Sequence, residues 1–466
     1  MRLYDSMTNS RRELEVKDNT VRIYACGPTV YNYFHIGNGR AFSVYDTLRR
    51  YLEYKGYNVL FAQNFTDVDD KIINRAREEG ISTVDVAEKY IKEYFRDADG
   101  LGIERATFHP RATENIQNII DMVQTLVDKG HAYAVNGDVY FRVRSDPEYG
   151  KLFKQSIDDL EAGARISVSE QKEDKLDFAL WKAAKPGEPS WASPWGEGRP
   201  GWHIECSAMA KHYLGDTIDI HCGGNDLKFP HHENEIAQSE CANGCEFARL
   251  WFHVGFVNVN NEKMSKSKNN FFTVRDLASV YGYEPLRYFT ISAHYRNPIN
   301  YEPELIEQAK ASLDRLRICK KNLEFLISSA SDTVSADEKE ASERFKGYVA
   351  AFEAAMDDDL NTANALSALF DFARDINTVT MNGSHSKAFL QSAKDTFVRL
   401  ANVMGLLLKD DETDDELEKH VESLIAERRE AKKAKNYARA DEIRDQLKAE
   451  GIVIEDTANG TKWRKA

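Results

Sequence analysis

A polar turn near the start of the chain combines residue types that can hold a phosphate group. His35 and Asn38 lie three residues apart within the stretch 26–40 (CGPTVYNYFHIGNGR), which follows a short apolar run over 21–25. That run is typical of a buried strand, and the apolar residues after the turn have the one-face spacing of a helix. A strand followed by glycines that open a helix presents backbone N–H groups to a phosphate in α/β folds. The alternative is an ordinary strand-to-helix turn, because short glycine motifs are weak signals by themselves.

A second candidate for phosphate chemistry lies at 263–267 (KMSKS), where Lys263 and Lys266 are three residues apart in a polar stretch. This composition predicts a loop with two positive charges, suited to a departing pyrophosphate, although a solvated basic loop is the alternative. Together, the HIGN sequence at 35–38 and KMSKS resemble the paired nucleotide-binding motifs of class I aminoacyl-tRNA synthetases. KMSKS matches letter for letter, whereas Asn38 stands where the general class pattern has a second histidine.

Four residues that are far apart along the chain form a candidate metal site. Cys26 ends the first predicted strand, and Cys206 begins the second half of the same predicted sheet. His231 and Glu235 are four residues apart and therefore share one face of a helix. Two thiolates, an imidazole and a carboxylate are a credible set of zinc ligands. Other metal-binding residue types compete for these roles: His232, Cys222, and the spaced pair Cys241 and Cys245, which we interpret as structural.

The elements that must position these residues follow a clear order. Strand-like and helical patterns alternate early in the chain, which predicts a Rossmann-like α/β nucleotide-binding domain with an insertion, followed by an α-helical bundle and a small C-terminal domain. The predicted parts are the split nucleotide-binding domain (1–110 and 196–250), the connective insertion (111–195), the junction that carries KMSKS (251–302), the bundle (303–408) and the C-terminal domain (409–466).

Several local features follow from turn and capping chemistry. Asn136-Gly137 predicts the turn of a hairpin over 131–143. Apolar runs at 59–62 and 217–221 predict two further strands. Thr66 or Asp67 is expected to cap the helix that follows, and Pro230 to be the first residue of the helix that carries His231 and Glu235.

Composition sets the broader limits. The 466 residues are 42% hydrophobic and 30% charged, as in a globular protein. The chain has no long apolar run and no apolar leader, so we expect a cytoplasmic protein that does not span a membrane. Its six cysteines are too few for a disulfide framework in a chain of this length.

The formal net charge of −14 means that any nucleic-acid contact must come from local basic clusters. Arg428, Lys432, Lys435 and Arg439 have the spacing of one helical face, which predicts either a solvated charged face or a stripe that contacts nucleic acid.

Six blocks of sequence resemble the cysteinyl-tRNA synthetases: CGPTVYNYFHIGNGR, NFTDVDDKI, GRPGWHIECSAM, DLKFPHHENEIAQS, KMSKSKNNFFTVRD and GIVIEDTANGTKW. They cover essentially the whole chain. The resemblance implies one zinc ion per chain, bound by Cys26, Cys206, His231 and Glu235. It also implies ATP contacts from His35, Asn38, Asp226 and Lys266, and a cysteine pocket lined by Thr66 and Trp202. The substrates would be ATP with Mg²⁺, L-cysteine and tRNA(Cys), and residues 409–466 would bind the anticodon. We expect a monomer.

Such an enzyme joins cysteine to AMP and then to tRNA. The cysteine carboxylate is already an anion, so catalysis needs alignment and charge stabilisation, which His35, Asn38, Lys263 and Lys266 are expected to supply. The basic stripe is expected to contact tRNA, and Trp463, predicted to be exposed, to stack on an unpaired base. One alternative is an ATP-dependent ligase that joins cysteine to a small amine, which would have no use for residues 303–466. The other is a non-catalytic, zinc-containing tRNA-binding relative, which would have no use for KMSKS.

Overall fold

The computed structural model describes residues 1–157, 171–264, 270–335, 337–381, 385–409, 415–457 and 460–465. The chain divides into two compact units. The first unit comprises residues 1–313, 350–367 and 403–406, and the second comprises residues 314–349, 368–402 and 407–466. Across the described segments, every helix is too short or too polar to cross a membrane.

The first unit is built mainly from short strands with helices between them. Its strands are β1 (Arg2–Asp5), β2 (Ser10–Glu13), β3 (Thr20–Ala25), β4 (Asn58–Gln63), β5 (Ala132–Val135), β6 (Asp138–Phe141), β7 (Phe178–Ala183), β8 (Gly198–Pro200), β9 (Ile218–Gly224), β10 (Ala248–Val254), β11 (Val257–Val259), β12 (Glu262–Lys263) and β13 (Ile299–Tyr301). Its helices are α1 (Ile36–Tyr54), α2 (Asp70–Glu79), α3 (Thr83–Gly100), α4 (Ile116–Asp128), α5 (Trp202–Leu214), α6 (Glu233–Asn243), α7 (Val274–Tyr281) and α8 (Tyr283–Ile291).

A parallel sheet of four strands, in the order β10-β9-β3-β4, forms the centre of this unit. The connections run from β3 to β4 on one side and from β9 to β10 on the other, so the direction of winding changes between β3 and β9. At such a switch point the carboxyl ends of neighbouring strands open a crevice for a ligand. Cys26 follows β3 directly and its backbone N–H donates to the Cys222 carbonyl oxygen at 3.2 Å. The predicted α/β class is confirmed, and the crevice lies beside Cys26.

Helix α1 packs against this sheet through the face that the sequence predicted. The residues with one-face spacing, Ala41, Val44, Tyr45, Leu48 and Leu52, are all buried. On the same helix, the buried Asp46 carboxylate lies 2.7 Å from Nη2 of the fully buried Arg287 on α8. A buried charge is stable only when it is paired, so this contact ties the two helices together.

The insertion between the two halves of the sheet forms a separate antiparallel sheet in the order β5-β6-β7-β8. Its first hairpin turns at Asn136-Gly137, as predicted. Both residues have the positive φ values, 51° and 87°, that a tight primed turn requires. Trp181 on β7 is fully buried in the apolar core between this sheet and helix α4.

Of two local predictions about helix starts, one is wrong and one is confirmed. Asp69 caps helix α2 by accepting from the Lys71 N–H, whereas Thr66 and Asp67 make contacts with other parts of the chain. Pro230 is confirmed as the first residue of the helical run that leads into α6, because Phe229 before it is extended (φ −141°, ψ 134°) and the residues from Glu233 continue as α6. At the start of α2, tertiary contacts therefore occupy the residues that local capping rules would select.

The remainder of the chain is helical until its last residues, as the periodicity predicted. Its helices are α9 (Pro303–Ser329), α10 (Glu338–Asp357), α11 (Thr362–Met381), α12 (Lys387–Val403), α13 (Asp415–Lys433) and α14 (Tyr437–Ala449), and its strands are β14 (Ile452–Thr457) and β15 (Gly460–Lys465). The prediction of one continuous basic helical face is wrong, because α13 ends at Lys433 and α14 begins at Tyr437. Lys435 lies in the connecting turn with a positive φ of 57°.

Candidate active site and metal centre

Four buried side chains meet where β3 ends, and they are the four predicted metal ligands. The Cys26 sulfur lies 3.9 Å from the Cys206 sulfur and 3.4 Å from Glu235 Oε1. His231 Nε2 lies 3.6 Å from the Cys206 sulfur and 3.0 Å from Glu235 Oε1. All four candidate ligand atoms lie within 4.8 Å of one another. The donor types and their spacing fit a tetrahedral zinc ion.

Each ligand is positioned by a different element. Cys26 is the first residue after β3, and Cys206 lies one turn into helix α5. His231 belongs to the turn that precedes α6, and Glu235 lies in the first turn of that helix, so the i,i+4 spacing brings the two together. The site therefore depends on the packing of α5 and α6 at the carboxyl end of the sheet.

Two further histidines hold the ligands from outside. His203 Nδ1 lies 2.8 Å from His231 Nδ1, and His221 Nε2 lies 2.8 Å from Glu235 Oε2. These contacts leave His231 Nε2 and Glu235 Oε1 directed toward the two sulfurs. Outer contacts of this kind fix the orientation of metal ligands. Neither histidine is predicted from the sequence, where the one available signal is that His221 lies within an apolar strand.

The charges in the cluster already favour binding of a cation. The Cys26 thiol donates to Cys206, and this hydrogen bond lowers the pKa of the Cys206 thiol to about 6. Burial raises the pKa of Cys26 well above its usual range. Burial also raises the pKa of Glu235, but His221 and His231 outweigh it and hold that pKa well below the usual value. Burial lowers the pKa of His231, but Glu235 and Cys206 outweigh it and raise that pKa to about 10. The cluster thus contains a carboxylate, a thiolate and a protonated imidazole, and a metal would displace the protons of His231 and Cys26.

The structure also shows where the rival ligands lie. His232 Nε2 is 3.4 Å from the Cys26 sulfur, and a second group of four, Cys26, His221, His232 and Glu235, meets the same distance limit. The two groups share the Cys26 sulfur and the Glu235 carboxylate, so they describe one site with two possible sets of ligands. The remaining candidates belong to neither group among the described residues: Cys222, Cys241 and Cys245. Cys222 is buried within β9, and Cys245 is exposed.

The predicted nucleotide-binding residues lie at the start of α1 and after β9. His35 caps α1, and its Nδ1 accepts a hydrogen bond from the Asn38 N–H at 3.2 Å. Asp226 lies just beyond the carboxyl end of β9 and is exposed. The backbone of Lys263 belongs to β12, which pairs with β11. The Lys263 side chain and all of Lys266 fall outside the described residues.

The two residues predicted to line an amino-acid pocket contact the metal cluster or its neighbours. Thr66 is buried, and its hydroxyl donates to Glu205 Oε2 at 2.7 Å. Burial raises the pKa of Glu205 well above its usual value. Trp202 is 38% exposed, and its ring stacks on His231 at a centroid distance of 4.3 Å. An exposed ring beside a buried ligand cluster is suited to covering a small substrate.

The five residues predicted to bind tRNA differ in their availability. Arg428 is buried and donates to both carboxylate oxygens of Asp456 at 2.7 and 2.9 Å, and Lys432 Nζ lies 2.6 Å from the same carboxylate. Arg439 pairs with Glu427 and Glu442 at the surface, and Lys435 is exposed. The prediction that Trp463 is exposed is wrong, because its ring is half-buried and packs on the core formed by Val421, Leu424, Ile443, Leu447 and Ile452.

The switch point of the parallel sheet lies beside the HIGN turn, and the same chain carries KMSKS. Together these features define a class I aminoacyl-tRNA synthetase. Residues 13–311 match the family described as the tRNA synthetases class I (C) catalytic domain. Residues 351–409 match the DALR domain, and residues 414–464 match the cysteinyl-tRNA ligase anticodon binding domain.

Full-length relatives identify the member of this class. The chain is 54% identical to a cysteine–tRNA ligase of Clostridioides difficile over 467 residues, with 100% of both chains covered. It is 55% identical to one of Caldicellulosiruptor saccharolyticus over 465 residues, with 99% of each covered. The chain belongs to the cysteine–tRNA ligase family.

Solved structures of other synthetases share the fold. The Mycobacterium tuberculosis methionyl-tRNA synthetase in complex with methionyl-adenylate is 16% identical, with a TM-score of 0.60 over 83% of this chain and 89% of that one. LeuRS from Agrobacterium radiobacter K84, in a ternary complex, is 12% identical, with a TM-score of 0.61 over 83% of this chain and 84% of that one.

Proposed function

We propose that this protein activates L-cysteine with ATP and transfers it to the 3′ end of tRNA(Cys). In the first step a cysteine carboxylate oxygen attacks the α-phosphorus of ATP, the bond to the β-phosphate breaks, and pyrophosphate leaves. In the second step a ribose hydroxyl of the terminal adenosine attacks the carbonyl carbon of the adenylate, forming an ester and releasing AMP. The observation that carries the proposal is the buried cluster of Cys26, Cys206, His231 and Glu235 beside the start of α1 in a chain of this family.

We propose zinc as the metal of this cluster, with one ion per chain. Two sulfurs, one imidazole nitrogen and one carboxylate oxygen converge there, all buried, and sulfur donors favour zinc over magnesium or calcium. Bound zinc would supply a Lewis acid with affinity for the substrate thiolate, which serine and alanine cannot provide. The protein contributes ligand orientation through His203 and His221. A thiol-selective ligand set explains how cysteine is separated from serine, because differences of size alone give only about 1–3 kcal/mol.

The start of α1 is assigned to the phosphates of ATP. Because His35 Nδ1 accepts from the Asn38 N–H, a neutral imidazole carries its proton on Nε2, which can donate to a phosphate oxygen. Asn38 lies in the first turn of the helix, where backbone N–H groups also favour an anion. Asn38 donates hydrogen bonds without positive charge, so we assign charge stabilisation of the departing pyrophosphate to Lys263 and Lys266, with magnesium accompanying ATP. Asp226 is assigned to the nucleotide as well.

The cysteine substrate is placed between Thr66 and Trp202. The Thr66 hydroxyl donates to Glu205 and accepts from Asn64 Nδ2 at 3.4 Å, so its second lone pair is assigned to the substrate ammonium group. Trp202 stacks on His231 and covers the cluster on its exposed side. Both residues thus act on orientation and on the exclusion of water rather than on bond making.

The C-terminal domain is assigned to tRNA. Lys432, Lys435 and Arg439 offer positive charge at the surface, whereas the ion pair between the buried Arg428 and the exposed Asp456 holds α13 to β14. Phosphates would compete with the surface carboxylates for these cations, which makes binding dependent on salt. We further propose a monomer that works in the cytoplasm.

The test measures cysteine-dependent exchange between ATP and pyrophosphate, tRNA charging and zinc content in three proteins. Wild type should show exchange, tRNA charging and bound zinc, whereas Cys206→Ala should lose zinc and exchange. Cys245→Ala should match wild type because Cys245 is exposed and outside the cluster. Full zinc in Cys206→Ala would refute the ligand assignment. Exchange without tRNA charging in wild type would instead favour a ligase that joins cysteine to a small amine. Charging separates these two activities because both begin with the same adenylate.

A further inference from the structure

The segment that follows KMSKS is fastened to the HIGN turn by its backbone. The Ile36 N–H donates to the Phe272 carbonyl oxygen, and the Val274 N–H donates to the Phe34 carbonyl oxygen, each at 3.1 Å. These two bonds flank His35 and pair it with Thr273 as an isolated antiparallel bridge. Any shift of residues 272–274 would therefore move His35.

Side chains also pack closely between the HIGN turn and residues 271–274. The Phe271 ring lies edge-on to the His35 imidazole at a centroid distance of 5.3 Å. A Cβ atom on Gly39 would lie 2.7 Å from Val274 Cγ2, so only glycine lets α1 approach α7 this closely. Thr273 also forms a reciprocal capping box with Asp276 at the start of α7. The position of His35 thus depends on where α7 begins.

One arginine connects that helix start to two other elements. Arg275, in the first turn of α7, forms ion pairs with Glu93 and Asp97 of α3, the latter at 3.1 Å from Arg275 Nε. Its guanidinium carbon lies 4.4 Å from the centre of the Tyr33 ring, two residues before His35. Asp97 is fully buried and also accepts from the Tyr283 hydroxyl at 2.7 Å. Arg275 therefore touches both sides of the backbone bridge.

We infer that Arg275 is a positioning residue for adenylate formation. Through α7 and Tyr33 it holds His35 at the geometry that the α-phosphate requires, without touching a substrate itself. The inference rests on the proposed role of His35 at the phosphates of ATP. Arginine is required because its planar fork can pair with two carboxylates while its face lies on an aromatic ring, which the point charge of lysine cannot reproduce.

The experiment measures steady-state pyrophosphate exchange for Arg275→Met, Arg275→Lys and Tyr33→Leu, alongside zinc content and circular dichroism. Arg275→Met should lower kcat roughly 10- to 100-fold, the scale of a small misplacement of a reacting group. The KM for cysteine should stay within about twofold because the cluster and Thr66 are untouched. Arg275→Lys should recover part of kcat, and Tyr33→Leu should lose less than Arg275→Met. Arg374→Met is the matched control, since Arg374 is an exposed arginine paired with an aspartate, Asp371, in the second unit.

Two results would overturn the inference. One is an Arg275→Met enzyme whose kcat stays within twofold of wild type. The other is a loss of kcat matched by equal changes in the cysteine KM or zinc content, which indicates a general folding defect. His35→Asn separates this inference from the proposed function. If His35→Asn exchanges pyrophosphate like wild type, the role of His35 at the phosphates is wrong. If His35→Asn is slow while Arg275→Met is normal, only the positioning role fails.

Discussion

Replacing His221 with phenylalanine should weaken zinc binding without disturbing the fold. His221 is fully buried on β9, and its Nε2 holds Glu235 Oε2 at 2.8 Å. Its ring stacks on Trp251 at 4.7 Å with an interplanar angle of 15°. Phenylalanine keeps an aromatic ring for this stacking and adds one ring atom, so the substitution removes mainly the hydrogen bond to the ligand carboxylate.

The expected size of the effect follows from that single contact. Losing an outer partner of a metal ligand costs about 10- to 100-fold in metal affinity, which equals about 1.4–2.8 kcal/mol. Leaving the second oxygen of Glu235 buried and unpaired costs about 1–3 kcal/mol by itself. The two estimates agree, so the zinc Kd of His221→Phe should rise by one to two orders of magnitude.

Competition with a chromophoric chelator measures the zinc Kd directly. Wild type, His221→Phe and His212→Phe would be titrated at the same pH, because metal binding competes with protonation of the ligands. His212 is the control, since it is an exposed histidine on α5. A zinc Kd for His221→Phe within twofold of wild type would show that Glu235 is oriented without His221, and the reasoning about the outer contacts would be refuted.

Three further outcomes are expected. Lys266→Ala should lower kcat for pyrophosphate exchange far more than it raises the cysteine KM, because contacts to transferring phosphates act mainly in the transition state; unchanged exchange at saturating substrates would contradict this role. Deleting residues 410–466 should spare exchange and raise the KM for tRNA in charging assays, and a deletion that charges dilute tRNA normally would make the domain purely structural. Hydrogen bonds from Arg428 and Lys432 hold the pKa of Asp456 well below its usual range, so this carboxylate stabilises the fold above its unfolded pKa near 4, and that stability is lost as the pH falls toward the folded pKa. The Tm difference between wild type and Asp456→Asn should therefore shrink from pH 5 to pH 3. A constant Tm difference would be evidence against the ion pair.

Patterns with one dominant physical cause were readable from the sequence. The buried face of α1 followed from apolar spacing, and the hairpin at Asn136-Gly137 followed from the positive φ that its turn requires. The four metal ligands implied by the resemblance to cysteinyl-tRNA synthetases also came together, Cys26 at the end of a strand and the other three on the helical segments beside it.

Features that depend on distant packing were not readable. Thr66 has the right chemistry for a cap, but it donates to Glu205, which is 139 positions away. The basic residues near the end of the chain have perfect helical spacing, yet the turn at Lys435 places them on two helices. Trp463 looked exposed beside charged neighbours, but strand alternation turns it toward a small core. The contacts of His203 and His221 depend on how α5 and β9 are placed in three dimensions, which no local pattern encodes.

The position of Cys26 has a consequence for how the protein is made. Its partner Glu235 lies 209 positions later in the chain, with the whole insertion between them. A growing chain that has not reached α6 has only the two thiols of the cluster, and neither histidine nor carboxylate to complete it. Full coordination of the proposed metal therefore needs both halves of the sheet, so its binding free energy would favour the assembled sheet over partly synthesised forms. In the cell, zinc supply would act as a check on the completion of this domain before the enzyme meets its substrates.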